Sequence, residues 1–147
     1  MRLTSKTDYG LRALIDLALH ASGLPAQSHD IATRQGIPES YLNQLLILMR
    51  RAGLIRSLRG PQGGHQLARP PSAISIAAII AALDGPTASE GAHPPSEARG
   101  NDAATDLVVR AAWEQVSVAI DDALGRITLD ILLEQRQRHD TAAMFQI

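Results

Sequence analysis

The sequence predicts a mainly α-helical fold with a small β-hairpin wing: a winged helix-turn-helix domain followed by a long dimerisation helix. Three observations carry that expectation. Apolar residues recur at helical spacing in several separate stretches, and one glycine-rich segment joins two β-prone runs. Charge is also split along the chain, with nine Lys or Arg against four Asp or Glu in residues 1–70 and five against eleven in residues 71–147.

Ser5, followed three residues later by Asp8, reads as a capping-box-like helix start. Tyr9, Ala13, Leu14, Leu17 and Ala18 continue the stripe to His20, and Gly23 and Pro25 close it. Residues Ser28 to Ile37 read as a short capped helix ending at Gly36. The next helix spans 39–51, with Pro38 in the first-turn position, where a missing N–H costs nothing, and Gly53 as its stop. Its apolar positions are 41, 42, 45, 46, 48 and 49, which leaves Ser40, Asn43, Gln44, Ile47, Arg50 and Arg51 nearer the other side. Helix, Gly-containing turn and second helix make a helix-turn-helix.

Residues 54–59 and 65–69 are β-prone and flank Gly60-Pro61-Gln62-Gly63-Gly64, the composition of a tight hairpin tip. Arg56, Arg59 and Arg69 line this hairpin. Ser75 caps a further helix with Ile76, Ile79, Ile80 and Leu83 on one face, ended by Gly85-Pro86. A long Gly-, Pro-, Ser- and Ala-rich segment without periodicity follows, a length that a compact domain normally reserves for function. From about Ala103 a long helix resumes. Val109, Trp113, Val116, Ile120 and Leu124 recur at steps of four and three, a seam for another helix and here for dimerisation. Ile127 to Glu134 is again helical, and Gln135 to Ile147 reads as a frayed polar tail. The expected organisation is therefore a winged helix-turn-helix domain over 1–84, a sensor-type loop over 85–103, dimerisation and C-terminal helices over 104–134, and a flexible tail over 135–147.

A basic N-terminal half joined to an acidic C-terminal half suits a DNA-binding module attached to a part that must stay off DNA. In a helix-turn-helix the second helix enters the major groove with its N-terminal residues at the base edges. Ser40, Asn43 and Gln44 are the candidate base readers, since Asn and Gln pair in bidentate fashion with adenine. Tyr41 is a core aromatic whose hydroxyl can reach a phosphate. Arg50 and Arg51 add positive charge to the outward side, and Arg59 at the hairpin tip suits a narrow minor groove. Ser5 and Lys6 stand at a helix N-terminus, a natural anion site.

Other classes find no support. No motif sets a nucleophile beside a base, and there is no phosphate loop and no metal-ligand spacing, so an enzyme is not expected. With no cysteine, the chain forms no disulfide and offers no thiolate to a metal. No apolar run approaches the length of a membrane span and the start lacks a secretory pattern, so a cytoplasmic protein is expected.

Met1-Arg2-Leu3-Thr4-Ser5-Lys6 with Tyr9, Ile31-Ala32 with Gly36-Ile37, Ser40-Tyr41-Leu42, Gly53-Leu54-Ile55, Ser57, Arg59-Gly60-Pro61 and Gly63-Gly64 closely resemble the IscR/NsrR-like family of winged-helix regulators. Trp113 and Ile127-Thr128-Leu129 match that family's later helices, and the likeness runs from residue 1 to about 134. The resemblance implies a homodimeric transcription factor on a pseudo-palindromic, double-stranded DNA operator. It extends the DNA-binding set to Ser57, Gly60, Gly63 and Gly64. His65 departs from the family's common tyrosine, and Asn43 stands where many IscR-like proteins have Glu.

Cluster-binding members hold an iron–sulfur cluster, [2Fe-2S] or [4Fe-4S], through three loop cysteines. At that spacing this chain has Ala92, Ala98 and Ala104, with Ala103 as an alternative to Ala104. The resemblance offers Asp8 of the partner subunit or His93 as a fourth ligand. Because such clusters are held mainly by thiolates and alanine cannot ligate, this chain is expected to be apo. Two histories stay open on the sequence: a form whose three cysteines were replaced, and a natural cysteine-less member that senses another signal. A winged helix that uses its wing and Ile47 for protein–protein contact is the remaining alternative.

Overall fold

The computed structural model describes residues 4–85 and 102–146. Six helices and one hairpin follow in chain order: α1 (Ser5–Leu19), α2 (Ser28–Gln35), α3 (Glu39–Arg51), β1 (Ile55–Leu58), β2 (Gly64–Leu67), a 3-10 turn at Pro71–Ala73, α4 (Ile76–Asp84), α5 (Ala103–Arg126) and α6 (Leu129–Met144). The expected class, mainly α with a β-hairpin wing, is what the chain adopts.

One core holds the first four helices and the hairpin together. Leu14 and Leu17 of α1, Ile31 of α2, Leu42, Leu45 and Met49 of α3, Ile55 of β1, and Ile79 and Leu83 of α4 are all buried in it. The helical stripes therefore face inward, as their spacing requires. α1 and α4 cross closely at Gly10, where an added Cβ would stand 2.3 Å from Leu83 Cδ1. Leu129, at the start of α6, is fully buried in the same core. The chain before it pairs back through Ile76 N–H to Ile127 O at 2.8 Å and Leu129 N–H to Ile74 O at 2.8 Å.

Several local expectations shift. The side chain that caps α1 is Thr4, whose hydroxyl accepts from the Thr7 N–H; Ser5 lies inside the first turn, one residue beyond the expected cap. Ser28 likewise sits inside α2, whose N-cap is Gln27, without a side-chain cap bond. Pro38 is the N-cap of α3 and not its first-turn residue. Ser75 does cap α4, accepting from the Ala78 N–H. The strands are shorter than the β-prone runs, pairing Ile55 with Leu67 and Leu58 with Gly64. α6 runs to Met144, ten residues past the expected helix end at Glu134, so residues 135–144 are helical and not a frayed tail.

The wing depends on a close backbone approach. Gly64 has φ +154°, and a Cβ there would lie 2.5 Å from Ala26 O, on the strand-like segment that pairs with His65. Gly64→Ala is accordingly expected to cost about 2–3 kcal/mol, because neither backbone can yield without breaking that pairing. Equilibrium urea unfolding checks this, and an unchanged midpoint would show that the hairpin is not pinned to Ala26.

Candidate nucleic-acid interface

The turn between α2 and α3 is built from a left-handed Gly36 at φ 63°, which closes α2, and extended Pro38, which opens α3. A polar clamp fixes α2 on α1. Asp16 of α1 is fully buried and accepts from Arg34 Nε at 2.9 Å, Arg34 Nη2 at 2.7 Å and Gln35 Nε2 at 2.9 Å. Burial alone would push its carboxyl upward. The hydrogen bonds from Arg34 and Gln35, with the charges of Arg34 and His20, outweigh burial and hold it below the ordinary carboxylate range. A guanidinium fork on a buried carboxylate fixes orientation as well as distance, so α2 is held on α1 in one geometry.

On α3, Leu42, Leu45, Leu46 and Met49 face the core, and Ser40, Asn43, Gln44, Ile47, Arg50 and Arg51 are exposed. Of these, Ser40, Asn43, Gln44, Arg50 and Arg51 are the residues the sequence nominates for DNA, and Ile47 the one it offers for the alternative protein contact. Tyr41 is half-buried, its ring edge-on to Tyr9 at 5.7 Å between centroids, as expected of a core aromatic.

The three hairpin arginines, alike in sequence, part company in the structure. Arg56 donates to Gln66 Oε1 across the strands, and Arg69 donates to Gly53 O and Ala52 O, capping the C-terminal end of α3. Arg59 stands exposed at the tip beside Gly60, with no hydrogen bond or ion pair among the described residues. Ser57 and His65, directly paired across the hairpin, face α3, with Ser57 Oγ 2.9 Å from His65 Nδ1. Gly63 and Gly64, nominated with the DNA-binding set, are half-buried within the hairpin, where an added Cβ would meet Leu58 O and Ala26 O respectively.

Ser5 and Lys6 are exposed on the first turn of α1. That helix end already holds an anion: Asp84 Oδ2 accepts from Thr4 Oγ1 and Thr7 Oγ1, each at 2.6 Å. Neither this link nor Asp16–Arg34 was foreseeable from local patterns, since each joins residues far apart in the chain.

The long seam divides in two. On α5, Val109, Trp113 and Val116 are exposed, together with Leu107, Val108 and Val118. Ile120 is half-buried, and Leu124, at 8% exposure, packs within the protomer, so it is not an open seam residue. Of the nominated cluster positions, Ala92, Ala98 and His93 lie outside the described residues. Ala104 is exposed in the first turn of α5, after Ala103, and Asp8 pairs with Arg12 at 3.0 Å. Among the described residues no three His, Cys, Asp or Glu side chains are placed to hold a metal, and no helix is long and apolar enough to cross a membrane.

The family described as "Rrf2: Iron-dependent Transcriptional regulator" matches residues 3–135. The HTH-type transcriptional regulator IscR of Vibrio cholerae is 41% identical over 133 residues, which cover 90% of this chain and 75% of that protein. Among solved structures, CymR, the global cysteine regulator of B. subtilis, is similar at a TM-score of 0.74 and 31% identity, over 92% of this chain and 98% of that one. The T. potens IscR structure is similar at a TM-score of 0.69 and 34% identity, over 92% and 88%.

Proposed function

This chain belongs to the Rrf2 family of DNA-binding transcriptional regulators, and from that premise we propose that two copies pair through α5 to grip a pseudo-palindromic operator. In this reading the chain is a regulator and not an enzyme, and it works in the cytoplasm on double-stranded DNA. The observation that carries the operator contact is the shared exposure of the α3 outer side and the unpaired Arg59 at the wing tip. Ser40, Asn43 and Gln44 read base edges in the major groove, and Arg59 enters the adjoining minor groove. Lys6, Arg50 and Arg51 meet phosphates. Pairing rests on Val109, Trp113 and Val116, large apolar side chains at steps of four and three that share one face of α5 and stand exposed in the protomer.

An iron–sulfur cluster does not fit the residues present. The chain has no cysteine, Ala104 offers only a methyl group, and the Asp8 carboxylate is engaged by Arg12. No step of this function runs through a cluster. Thiolates at 92, 98 and 104 would supply such a site in a cysteine-bearing form, which would sense iron, redox state or nitric oxide; this chain binds DNA without one.

Selection from a random duplex library followed by fluorescence anisotropy tests the reading. Arg59→Ala is expected to weaken the selected duplex by about 1–3 kcal/mol, and Asn43→Ala to relax preference at one base step by a similar amount. No enriched sequence, or full affinity in the Arg59 variant, would favour a wing used for protein contact.

A further inference from the structure

Between α3 and the wing lies a cleft of about 250 Å³ lined by Asn43, Leu46, Ile47, Arg50, Ser57 and His65. Its origin is the hairpin's alternation. Ile55 and Leu67 pair at the base of the inner face, against the core, while Ser57 and His65 pair one step nearer the tip, where that face leaves the core. Asn43, Ile47 and Arg50 follow one another along the facing side of α3. The result is an opening with apolar walls, a guanidinium on one side and an imidazole on the other.

We propose that this cleft seats one backbone phosphate of the bound duplex between Arg50 and His65, and that docking takes up a proton at His65. The inference rests on the DNA-binding reading above and adds a residue and a pH dependence to it. Three observations support it. The His65 ring is positioned: Nδ1 is held by Ser57 Oγ, and the His65 backbone is fixed to Ala26 by bonds of 3.0 and 2.7 Å. Nε2 has no hydrogen-bond partner among the described residues and so has a donor position to offer. In the free protein, burial first and the Arg50 charge second push the imidazole below its ordinary value, so the ring is neutral at neutral pH.

A phosphate entering the cleft reverses the second of these effects. Its negative charge offsets the Arg50 repulsion and favours the imidazolium, which donates through Nε2 to a phosphate oxygen and through Nδ1 to Ser57 Oγ. Among the described residues lining the cleft there is no carboxylate to compete with a phosphate. From α3 the facing charge is Arg50, from β1 the neighbour is Ser57, and the segment before α2 presents the Ala26 backbone. His65 also borders a second groove that includes His20 and Arg56, where His20 is tied to Asp16 and Arg56 to Gln66.

Because a phosphate contact is independent of sequence, a mixed-sequence duplex is a sufficient probe, read by anisotropy from about pH 8 to about pH 6. Proton uptake at one site tightens binding by up to about tenfold per pH unit within its window, so about fivefold or more is expected across this range. His65→Gln, which keeps a partner for Ser57 and cannot titrate, should bind at the high-pH level throughout. Arg50→Gln removes one cause of the low imidazole basicity, so the pH response should move upward, and the salt slope should fall by about 0.9. A wild-type affinity that ignores pH overturns the proposal, as does a His65→Gln protein that keeps the wild-type response or an Arg50→Gln response at the wild-type midpoint. Failure to bind DNA at any pH would instead sink the DNA-binding reading itself.

Discussion

Trp113→Asp is expected to convert the proposed dimer to monomers and to remove most operator affinity with it. Trp113 is 39% exposed in the protomer and stands in the middle of the Val109–Ile120 stripe. In a two-fold interface each substitution counts twice, because the same patch contributes from both copies. An aromatic anchor lost from a buried contact costs about 2 kcal/mol per copy, and an unpaired carboxylate left in its place adds to that. The dimer constant should therefore weaken by about 4 kcal/mol or more, which is about a thousandfold. Operator affinity follows, since two tethered half-site contacts gain about 10²–10⁴ over one. Sedimentation or light scattering reads the first effect and anisotropy the second. Trp113 is also the only tryptophan in the chain, so its emission should shift to the red as the wild type is diluted below its dimer constant. A Trp113→Asp protein that stays dimeric would show that the exposed stripe is covered some other way.

What the sequence made legible follows from how local each signal is. The inward stripes of α1, α3 and α4 could be read because each helix carries its own 3.6-residue period and meets one core. The outer side of α3 follows by subtraction, which leaves Asn43 and Gln44 exposed. α6 beyond Glu134 is not legible because residues 135–141 are polar throughout and carry no apolar stripe. Its support is instead the i,i+4 ion pairs Arg136–Asp140 at 2.6 Å and Glu134–Arg138 at 3.7 Å. Leu124 continues the period of the α5 seam, and period alone cannot say whether a helix face meets its own chain or a second copy. Arg56, Arg59 and Arg69 look equivalent in sequence; only their partners in space show that Arg56 and Arg69 are engaged within the fold, while Arg59 has no partner among the described residues. Thr4 and Ser5 are adjacent residues of favoured N-cap type, and the acidic Asp8 three residues after Ser5 points to the wrong one of the two; the bond that decides is the Thr7 N–H to Thr4 Oγ1.

The clamp between α1 and α2 sets the other large expected effect, and its two halves should not cost the same. Asp16 is fully buried, whereas the Arg34 side chain is 36% exposed. Removing the carboxylate leaves a guanidinium that water can still reach. Removing the guanidinium leaves a buried charge with Gln35 as its remaining side-chain donor, apart from the more distant His20 at 3.6 Å. Breaking a buried pair costs about 3–5 kcal/mol, a large share of the roughly 5–15 kcal/mol that holds a domain folded. Asp16→Asn is expected near the lower figure and Arg34→Ala near the upper. The pH dependence separates them further. The Asp16 carboxyl lies below its unfolded value of about 3.9, so its contribution is fully present above that value and is lost as pH falls through the folded one. Wild-type stability should therefore drop in acid with a component that Asp16→Asn lacks. In Arg34→Ala the lone buried carboxyl shifts upward instead, so protonation relieves it and the gap to wild type narrows on acidification. Urea midpoints across that range measure both. Equal penalties for the two variants at neutral pH, or parallel acid profiles, would mean that α2 is held to α1 by apolar packing and not by this pair.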